Sequence, residues 1–325
     1  MEQRRLGQLD TSALGYGAMV LIGLYGAVDE EQGLRVLGHA LDRGVTMIDT
    51  ADGYGANGAN ESLVGRAIAG RRDGVVLATK FGITAPNAPH AHRVEVTFDN
   101  EIWIDGRPEH AREAAEASLR RLGTDVIDLY YLHFPDPVAP IEETVGAMAE
   151  LAREGKVRHL GLSNVTGEQL RAAAVVHPIA AVQAEYSLWT RGVEADLLPA
   201  AREVGAGLVA WGPLGNGFLA GNHELGAADF RHNAPRFQGE NLQRNVDRFA
   251  PLRALADEIA VTPAQLALAW LLHQGDDVVP IPGTRSIEHL DANLAAAEIR
   301  LSREVLERIE ELAPADLAAG QALLG

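Results

Sequence analysis

Residues 127–162 read IDLYYLHFPDPVAPIEETVGAMAELAREGKVRHLGL, and this stretch decides the fold. Two short apolar runs, Ile127–Leu132 and Val157–Leu162, are typical of buried strands. Between them, Ile141–Glu154 has the apolar spacing of an amphipathic helix. Two strands joined by a crossover helix pair in parallel, because the helix returns the chain to the same end of the sheet. The stretch therefore predicts one strand–helix–strand unit.

The same alternation continues in both directions along the chain. The predicted strands are Leu14–Met19, Thr46–Ile48, Val75–Thr79, Ile127–Leu132, Val157–Leu162, Ala181–Ala184, Gly207–Ala210 and Val278–Ile281. The predicted helices are Asp29–Asp42, Asn60–Ala69, Pro108–Leu122, Ile141–Glu154, Thr166–Val176, Glu194–Val204, Thr262–His273 and Ile287–Ala297. Capping boxes are predicted at Asp29/Gln32, Thr166/Gln169 and Thr262/Gln265. Eight repeats favour an α/β fold of the (β/α)8 TIM-barrel type, with an open doubly wound sheet as the alternative.

Four segments lie outside this repeat. Residues 1–11 predict a hairpin that plugs the bottom of the barrel, and residues 301–325 predict one more helix and a tail. Residues 82–107 and 215–250 are long polar loops that follow strands, so we expect them on the catalytic face. We expect residues 1–325 to form a single domain, because no linker or change in composition divides the chain.

Composition excludes several classes of function. A formal net charge of −17 argues against binding to nucleic acid or to an anionic membrane surface. The chain has no cysteine, which rules out disulfides, thiolate nucleophiles and iron–sulfur clusters. Met1–Asp10 lacks the apolar core of a signal peptide, and no apolar stretch is long enough to span a membrane. We therefore expect a cytoplasmic protein.

Four reactive side chains stand at or after the ends of three consecutive predicted strands. They are Asp49, Tyr54, Lys80 and His133. An ammonium group near a tyrosine stabilises its phenolate, and a carboxylate holds that ammonium in place. A histidine in the same pocket can donate a hydrogen bond to a carbonyl oxygen. Taken singly, each side chain also has an ordinary structural explanation, such as an ion pair between Lys80 and Asp49. Their convergence favours a site for proton transfer to a carbonyl.

Two other motifs carry less weight. Gly53–Gly58 matches the glycine pattern of a dinucleotide-binding turn, but Lys80 stands where that motif requires an acidic residue. We interpret these glycines as residues that give the loop around Tyr54 its conformational flexibility. The pair His90 and His92 lies in a polar segment without a converging cluster of carboxylates, so we expect no catalytic metal.

Six runs of sequence resemble the aldo-keto reductase superfamily, in order and over nearly the whole chain. They are Met47–Gly55, Val76–Gly82, Ile127–His133, Lys156–Asn164, Gln183–Trp189 and Ile281–Arg285. The bacterial and plant branch of general aldehyde, ketone and pyridoxal reductases is the most similar. The resemblance implies an NADP(H)-dependent oxidoreductase that acts on a small carbonyl substrate. It implies Tyr54 as the general acid, Lys80 with Asp49 as the pair that tunes it, and His133 as the residue that orients the carbonyl.

The resemblance also implies a cofactor site. Residues expected to border or hold the nicotinamide are Gly17, Met19, Ser163, Asn164, Gln183 and Trp211. Residues expected to wrap the pyrophosphate are Gly212, Pro213, Leu214, Gly215 and Gly217. Residues expected near the 2′-phosphate are Gly283, Thr284, Arg285, His289 and Asn293, with Arg285 supplying the cation that favours NADP(H) over NAD(H). The chain departs from common family residues at Gly212, Gly283, His289 and Ala292.

The substrate and two alternative functions remain open at this point. Tyr25, Phe81 and Trp189 are the candidate walls of the substrate pocket. One alternative is a Schiff-base lyase with Lys80 as the nucleophile. The other is a redox-sensing regulatory protein that resembles the potassium-channel β-subunits and binds NADPH with little turnover.

Overall fold

The computed structural model describes residues 1–23, 28–96, 100–226 and 229–322. Its strands are β1 (Gln3–Leu6), β2 (Leu9–Ser12), β3 (Tyr16–Gly17), β4 (Met47–Asp49), β5 (Val76–Phe81), β6 (Ile83–Thr84), β7 (His92–Val96), β8 (Asn100–Ile104), β9 (Ile127–Leu132), β10 (Val157–Ser163), β11 (Ile179–Glu185), β12 (Gly207–Trp211) and β13 (Val278–Pro280). Its α-helices are α1 (Glu30–Asp42), α2 (Ala59–Ile68), α3 (Pro108–Leu122), α4 (Ile141–Arg153), α5 (Gly167–Val176), α6 (Leu197–Val204), α7 (Gly239–Arg248), α8 (Ala250–Glu258), α9 (Pro263–Leu272), α10 (Ile287–Ala295) and α11 (Arg303–Leu312).

Eight parallel strands in the described residues form one sheet in the order β3-β4-β5-β9-β10-β11-β12-β13. The two ends of this sheet meet, because Gly15 N donates a hydrogen bond of 2.9 Å to Pro280 O in β13. Gly17 reinforces the closure: a Cβ atom there would lie 2.8 Å from Ile281 O, so only glycine allows the approach. The predicted (β/α)8 barrel is therefore confirmed, and the open sheet is excluded.

The first strand is shorter than predicted. The sequence predicts Leu14–Met19, whereas the ladder covers only Tyr16–Gly17 and a 3₁₀-helix, Ala18–Ile22, follows at once. The apolar run that was interpreted as the end of a strand is instead packed as a helical turn, with Ala18 and Leu21 buried. Met19 consequently lies in this turn and is partly exposed.

The predicted N-terminal plug is present as the antiparallel hairpin of β1 and β2. Leu6 is fully buried, and a Cβ atom on Gly207, the first residue of β12, would lie 2.3 Å from its side chain. Arg4 donates a hydrogen bond of 2.8 Å from Nη1 to Val278 O, at the first residue of β13. The hairpin thus covers the N-terminal ends of the strands, which leaves the opposite mouth for the site.

Both long loops contain regular structure that the sequence analysis did not predict. Residues 82–107 include β6, β7 and β8, which form a small antiparallel sheet. His92 begins β7 and pairs with Asp136, with 3.1 Å between Nδ1 and Oδ1, so this histidine lies in a strand and not in a loop. Residues 215–250 contain α7, whose sequence GENLQRNVDR is too polar for the apolar criterion used for the other helices.

Within the described part of the chain, no single helix has the length and apolar character needed to cross a membrane. Residues Gly239–Glu258 and Pro263–Leu272 meet that criterion only as a pair, with a bend of 89° between them.

Candidate active site

Asp49, Lys80 and His133 converge at the C-terminal mouth of the barrel. Asp49 is the last residue of β4, Lys80 is the penultimate residue of β5, and His133 follows β9 directly. Because β4, β5 and β9 are neighbours in the sheet, these positions are adjacent around the barrel. All three side chains are buried. The sequence thus places a carboxylate, an ammonium and an imidazole on one rim.

The Lys80 ammonium is the centre of the constellation. Its Nζ atom lies 2.5 Å from Asp49 Oδ1, 2.8 Å from Thr50 O and 3.3 Å from Tyr54 Oη. An ammonium has three N–H donors, and each of these oxygen atoms can accept one. The side chain is fully buried, so its position is set by these contacts and not by solvent.

Tyr54 reaches the same group from the loop between β4 and α2. Tyr54 N donates a hydrogen bond of 3.2 Å to Ala51 O, which closes a turn directly after the strand. Gly55 adopts a φ of 79°, and a Cβ atom on Gly53 would lie 3.2 Å from the Ile83 side chain. The glycines therefore shape the Tyr54 loop, in agreement with the interpretation of this motif from the sequence.

The electrostatics of the tyrosine–lysine pair differ in part from the expectation. Burial raises the pKa of Tyr54 above its usual value, and the Lys80 ammonium counteracts only part of that rise. Burial alone would lower the pKa of Lys80. Asp49 and Tyr54 raise this pKa by more than burial lowers it, so the net shift is upward. At neutral pH this arrangement is a neutral phenol that touches a charged ammonium.

His133 completes the site as an uncharged imidazole. Its ring centroid is 5.6 Å from that of Tyr54, in an edge-to-face arrangement. Burial lowers the pKa of His133 well below its usual value, and the nearby Lys80 charge lowers it further. Its Nδ1 atom is buried and has no hydrogen-bond partner in the described residues. A neutral imidazole has one N–H donor and one acceptor nitrogen, so it can donate to a carbonyl without adding charge.

Gln183 and Asn164, two of the residues predicted to hold the nicotinamide, contact these groups directly. Ser163 is the last residue of β10 and pairs in register with Gln183 near the end of β11, and both are buried. Gln183 Nε2 donates a hydrogen bond of 2.8 Å to Asp49 Oδ2. Asn164 has a left-handed φ of 57° and donates 3.0 Å from Nδ2 to His133 O. Trp211 is the partly exposed last residue of β12.

The segment after Trp211 folds as a tight left-handed turn. Gly212, Gly215 and Gly217 have φ values of 60°, 56° and 90°. A Cβ atom on Gly215 would lie 2.5 Å from the Trp189 ring, so the loop rests directly on that indole. Gly215 N and Gly217 N already donate to carbonyl groups within the turn. The same segment includes Pro213 and Leu214, which were predicted with these glycines.

Arg231 supports this turn and was not singled out from the sequence. The side chain is buried, donates 2.9 Å from Nη1 to Asn216 O, and forms a bidentate ion pair with Asp229. No motif marks this position, because its contacts with the loop are to backbone carbonyls, Asn216 O and Asn222 O, whose approach depends on the folded loop. Arg231 therefore stabilises the predicted pyrophosphate loop through its hydrogen bond to Asn216 O.

Of the predicted 2′-phosphate residues, Gly283, Thr284 and Arg285 precede α10, His289 lies in its first turn, and Asn293 lies near its C-terminal end. Ser286 caps this helix by accepting a hydrogen bond of 3.2 Å from His289 N. Arg285 is partly exposed and the His289 side chain is exposed, whereas Asn293 is buried. A Cβ atom on Gly283 would lie 2.5 Å from Gly17 O, so a larger residue does not fit this backbone.

Phe81 and Trp189, two of the three candidate substrate residues, are packed in the protein interior. Phe81 is fully buried and stacks on Tyr130, with 4.9 Å between ring centroids. Trp189 is 2% exposed and stacks on Phe218 at 4.1 Å. Both rings thus belong to the core in this structure. Tyr25 lies outside the described residues.

Among the described residues, no three or more histidine, cysteine, aspartate or glutamate side chains are grouped so that they could hold a metal ion. The available chemistry is that of a phenol, an ammonium, a carboxylate and a neutral imidazole.

Comparisons with known proteins point to one family. The model of the aldo/keto reductase family matches residues 13–314. The protein named "Probable aldo-keto reductase 1" from Glycine max is 44% identical over 318 residues, covering 96% of this chain and 88% of that protein.

Solved structures give the same answer. A glycerol dehydrogenase from Gluconobacter oxydans has a TM-score of 0.83 and 30% identity, covering 97% of this chain and 96% of its own. An aldo/keto reductase from Klebsiella pneumoniae, solved in complex with NADP and acetate, has a TM-score of 0.74 and 32% identity, covering 99% of this chain and 98% of its own.

Proposed function

Because this chain belongs to the aldo/keto reductase family, we propose that it reduces an aldehyde or a ketone to an alcohol with NADPH as the hydride donor. We further propose that residues 1–325 act as one catalytic domain. The observation that carries the proposal is the contact of one buried ammonium, Lys80, with both the Asp49 carboxylate and the Tyr54 hydroxyl.

Tyr54 is the proton donor in this proposal. Burial raises the pKa of Tyr54, so the proton stays on the phenol until a substrate oxygen accepts it. The Lys80 ammonium, 3.3 Å from Tyr54 Oη, stabilises the phenolate that remains. Asp49 balances the lysine charge and keeps Nζ directed at the hydroxyl.

His133 orients the carbonyl. As a neutral imidazole beside Tyr54, it can donate a hydrogen bond to the oxygen on which negative charge develops. The Lys80 ammonium would repel a charged imidazole. Because the pKa of His133 is low, its imidazole stays neutral and can donate to the same carbonyl oxygen as the Tyr54 hydroxyl. Together, Tyr54 and His133 define where the carbonyl oxygen sits.

The described residues fit a reduced dinucleotide. Trp211 offers a partly exposed ring at the barrel mouth, Ser163 and Gln183 offer polar groups beside it, and Arg285 stands at a helix N-terminus. When bound, NADPH would supply the hydride from C4 of its nicotinamide ring. The relative from Klebsiella pneumoniae was solved with NADP, which supports NADP(H) as the cofactor.

The Schiff-base alternative is disfavoured by the state of Lys80. A nucleophilic lysine needs a free amine, yet the pKa of Lys80 is raised and its ammonium donates to three oxygens. The redox-sensing alternative shares the same cofactor and differs only in turnover, so kinetics separate the two.

A panel of aldehydes, ketones and pyridoxal, followed by the loss of NADPH absorbance, tests the proposed function. Glycerol with NADP⁺ belongs in the reverse panel, since one structural relative is a glycerol dehydrogenase. We expect steady turnover on at least one carbonyl. Tight NADPH binding without turnover on any compound would support the redox-sensing alternative and contradict the proposal.

A further inference from the structure

Two side chains from different elements hold consecutive carbonyls of the loop that precedes α10. Tyr16 Oη donates a hydrogen bond of 2.6 Å to Thr284 O, and Gln32 Nε2 donates one of 3.0 Å to Arg285 O. Tyr16 lies in β3 and is fully buried, and Gln32 lies in α1 and is partly buried. Neither contact follows from the family motifs or belongs to the proton-transfer site.

Gln32 does not form the capping box that its sequence position predicts. Asp29 caps α1 by accepting a hydrogen bond from Glu31 N, and the Gln32 amide is directed at Arg285 O instead. By contrast, α5 and α9 both form complete capping boxes with a glutamine at the equivalent position. The amide of Gln32 is thus diverted from its own helix to the loop.

Toward the C-terminal end of α1, the same face also contacts α10. His39 Nε2 lies 3.0 Å from Asp291 Oδ1, and Arg43 also pairs with that carboxylate. Gln32, His39 and Arg43 are spaced by seven and four residues, so they share one face at the helical repeat. This face of α1, extended by its C-cap residue Arg43, therefore contacts both the loop before α10 and the middle of α10.

The direction of the two carbonyls matters for an anion. In a trans peptide the C=O and N–H groups point in opposite directions. With Thr284 O turned to Tyr16 and Arg285 O turned to Gln32, neither carbonyl presents its partial negative charge on the opposite side of the loop. Ser286 N, from the second of these peptides, donates to Thr284 Oγ1 at 3.1 Å. Both carbonyls of the loop are thereby held by side-chain donors, an arrangement compatible with a phosphate at the α10 N-terminus.

We propose that Tyr16 and Gln32 are positioning residues for the 2′-phosphate of NADPH: they hold the Thr284–Arg285 carbonyls away from the anion and fix Arg285 at the start of α10. This inference depends on the proposed function, because it assumes NADPH as the ligand. Because the two donors hold the loop in place before the nucleotide binds, the loop loses less conformational freedom on binding. This favours NADPH over NADH, since only NADPH carries the 2′-phosphate that meets this loop.

Single-donor deletions test the proposal. Tyr16→Phe removes only a hydroxyl, and Gln32→Met retains side-chain length in the helix but removes the amide donor. Tyr130→Phe is the matched control, since Tyr130 Oη also donates from a buried barrel strand to a helix carbonyl, Ala111 O, at 3.0 Å. Gln169→Met is the second control, because Gln169 occupies the equivalent position in α5.

Dissociation constants for NADPH and NADH should be measured by fluorescence titration, together with kcat and the melting temperature of the free protein. We expect Tyr16→Phe and Gln32→Met each to weaken NADPH binding about fivefold, as expected for one hydrogen bond. NADH binding and kcat should stay within about twofold of the wild type, and both controls should bind NADPH as the wild type does.

Unchanged NADPH affinity in both variants, or an equal loss for NADPH and NADH, would overturn the proposal. If one variant does not fold, the other still decides the question. Failure of the proposed function is a separate result: the wild-type protein itself would then reduce no carbonyl with NADPH. A wild type that turns over normally, with variants equal to it in NADPH affinity, refutes only the positioning role.

Discussion

Gln183 donates a hydrogen bond of 2.8 Å from Nε2 to Oδ2 of Asp49, and this bond joins the proposed nicotinamide pocket to the proton-transfer site. The other oxygen of the same carboxylate accepts from Lys80 at 2.5 Å. One buried carboxylate thus orients an amide on β11 and an ammonium on β5. A change at Asp49 should therefore affect stability as well as catalysis.

We predict that Asp49→Asn lowers the free energy of unfolding by about 3–5 kcal/mol, because it leaves the buried Lys80 ammonium without a counter-ion. The double variant Asp49→Asn/Lys80→Met should recover a large part of that loss, since it buries no charge. Urea unfolding of the wild type, both single variants and the double variant measures the coupling. A double variant whose loss equals the sum of the two single losses would contradict the prediction.

Arg285→Ala should weaken NADPH binding about tenfold or more and NADH binding much less, because only NADPH carries the 2′-phosphate. Arg303→Ala is the control, since the Arg303 side chain is 92% exposed on α11 and pairs with Glu307. Titration of each variant with both nucleotides gives the result. Equal losses for NADPH and NADH would remove the phosphate role of Arg285.

Asp52 should make stability depend on pH. Burial raises the pKa of Asp52 from 3.8 to about 8, and the neighbouring Glu61 adds to the rise while Arg121 and Lys80 oppose it. Asp52 Oδ1 is buried without a hydrogen-bond partner in the described residues. Between these two pKa values the folded chain holds a proton that the unfolded chain has released. The free energy of unfolding therefore falls as pH rises through this window.

Asp52→Asn removes this titration. The variant should match the wild type near pH 4 and become more stable than it by at least about 1 kcal/mol near pH 8, as measured by urea unfolding across the range. Asp73→Asn, an exposed aspartate on the surface, serves as the control and should follow the wild-type profile. A stability difference between Asp52→Asn and the wild type that is constant with pH would rule out the raised pKa.

The barrel itself was predictable, because its evidence is repetition. Each barrel strand is recognised as a short apolar run, and crossover helices impose parallel pairing whatever the loops do. Asp49, Lys80 and His133 followed from the same argument, since strand ends in a barrel meet at one mouth. Their distances were not predictable, and the rise in the pKa of Tyr54 depends on burial that no spacing reveals.

The parts that sequence could not supply depend on contacts between distant segments. Trp189 was interpreted as a pocket wall, but the left-handed turn at Gly215 places backbone directly on its ring. Helix α7 was missed because its sequence is strongly polar, with Leu242 and Val246 as its only large apolar residues. Gln32 matched a capping box, yet a carbonyl 253 positions away captures its amide. Local patterns cannot indicate such partners.

We propose that Tyr54 transfers the proton to the carbonyl oxygen. Tyr54→Phe retains the ring beside His133 and removes only the hydroxyl that contacts Lys80. The most direct measurement is kcat of this variant on the best carbonyl of the panel, together with its dissociation constant for NADPH. We expect a loss of about 10²-fold or more in kcat with NADPH affinity within about twofold of the wild type. Carbonyl reduction at a rate near that of the wild type would contradict it.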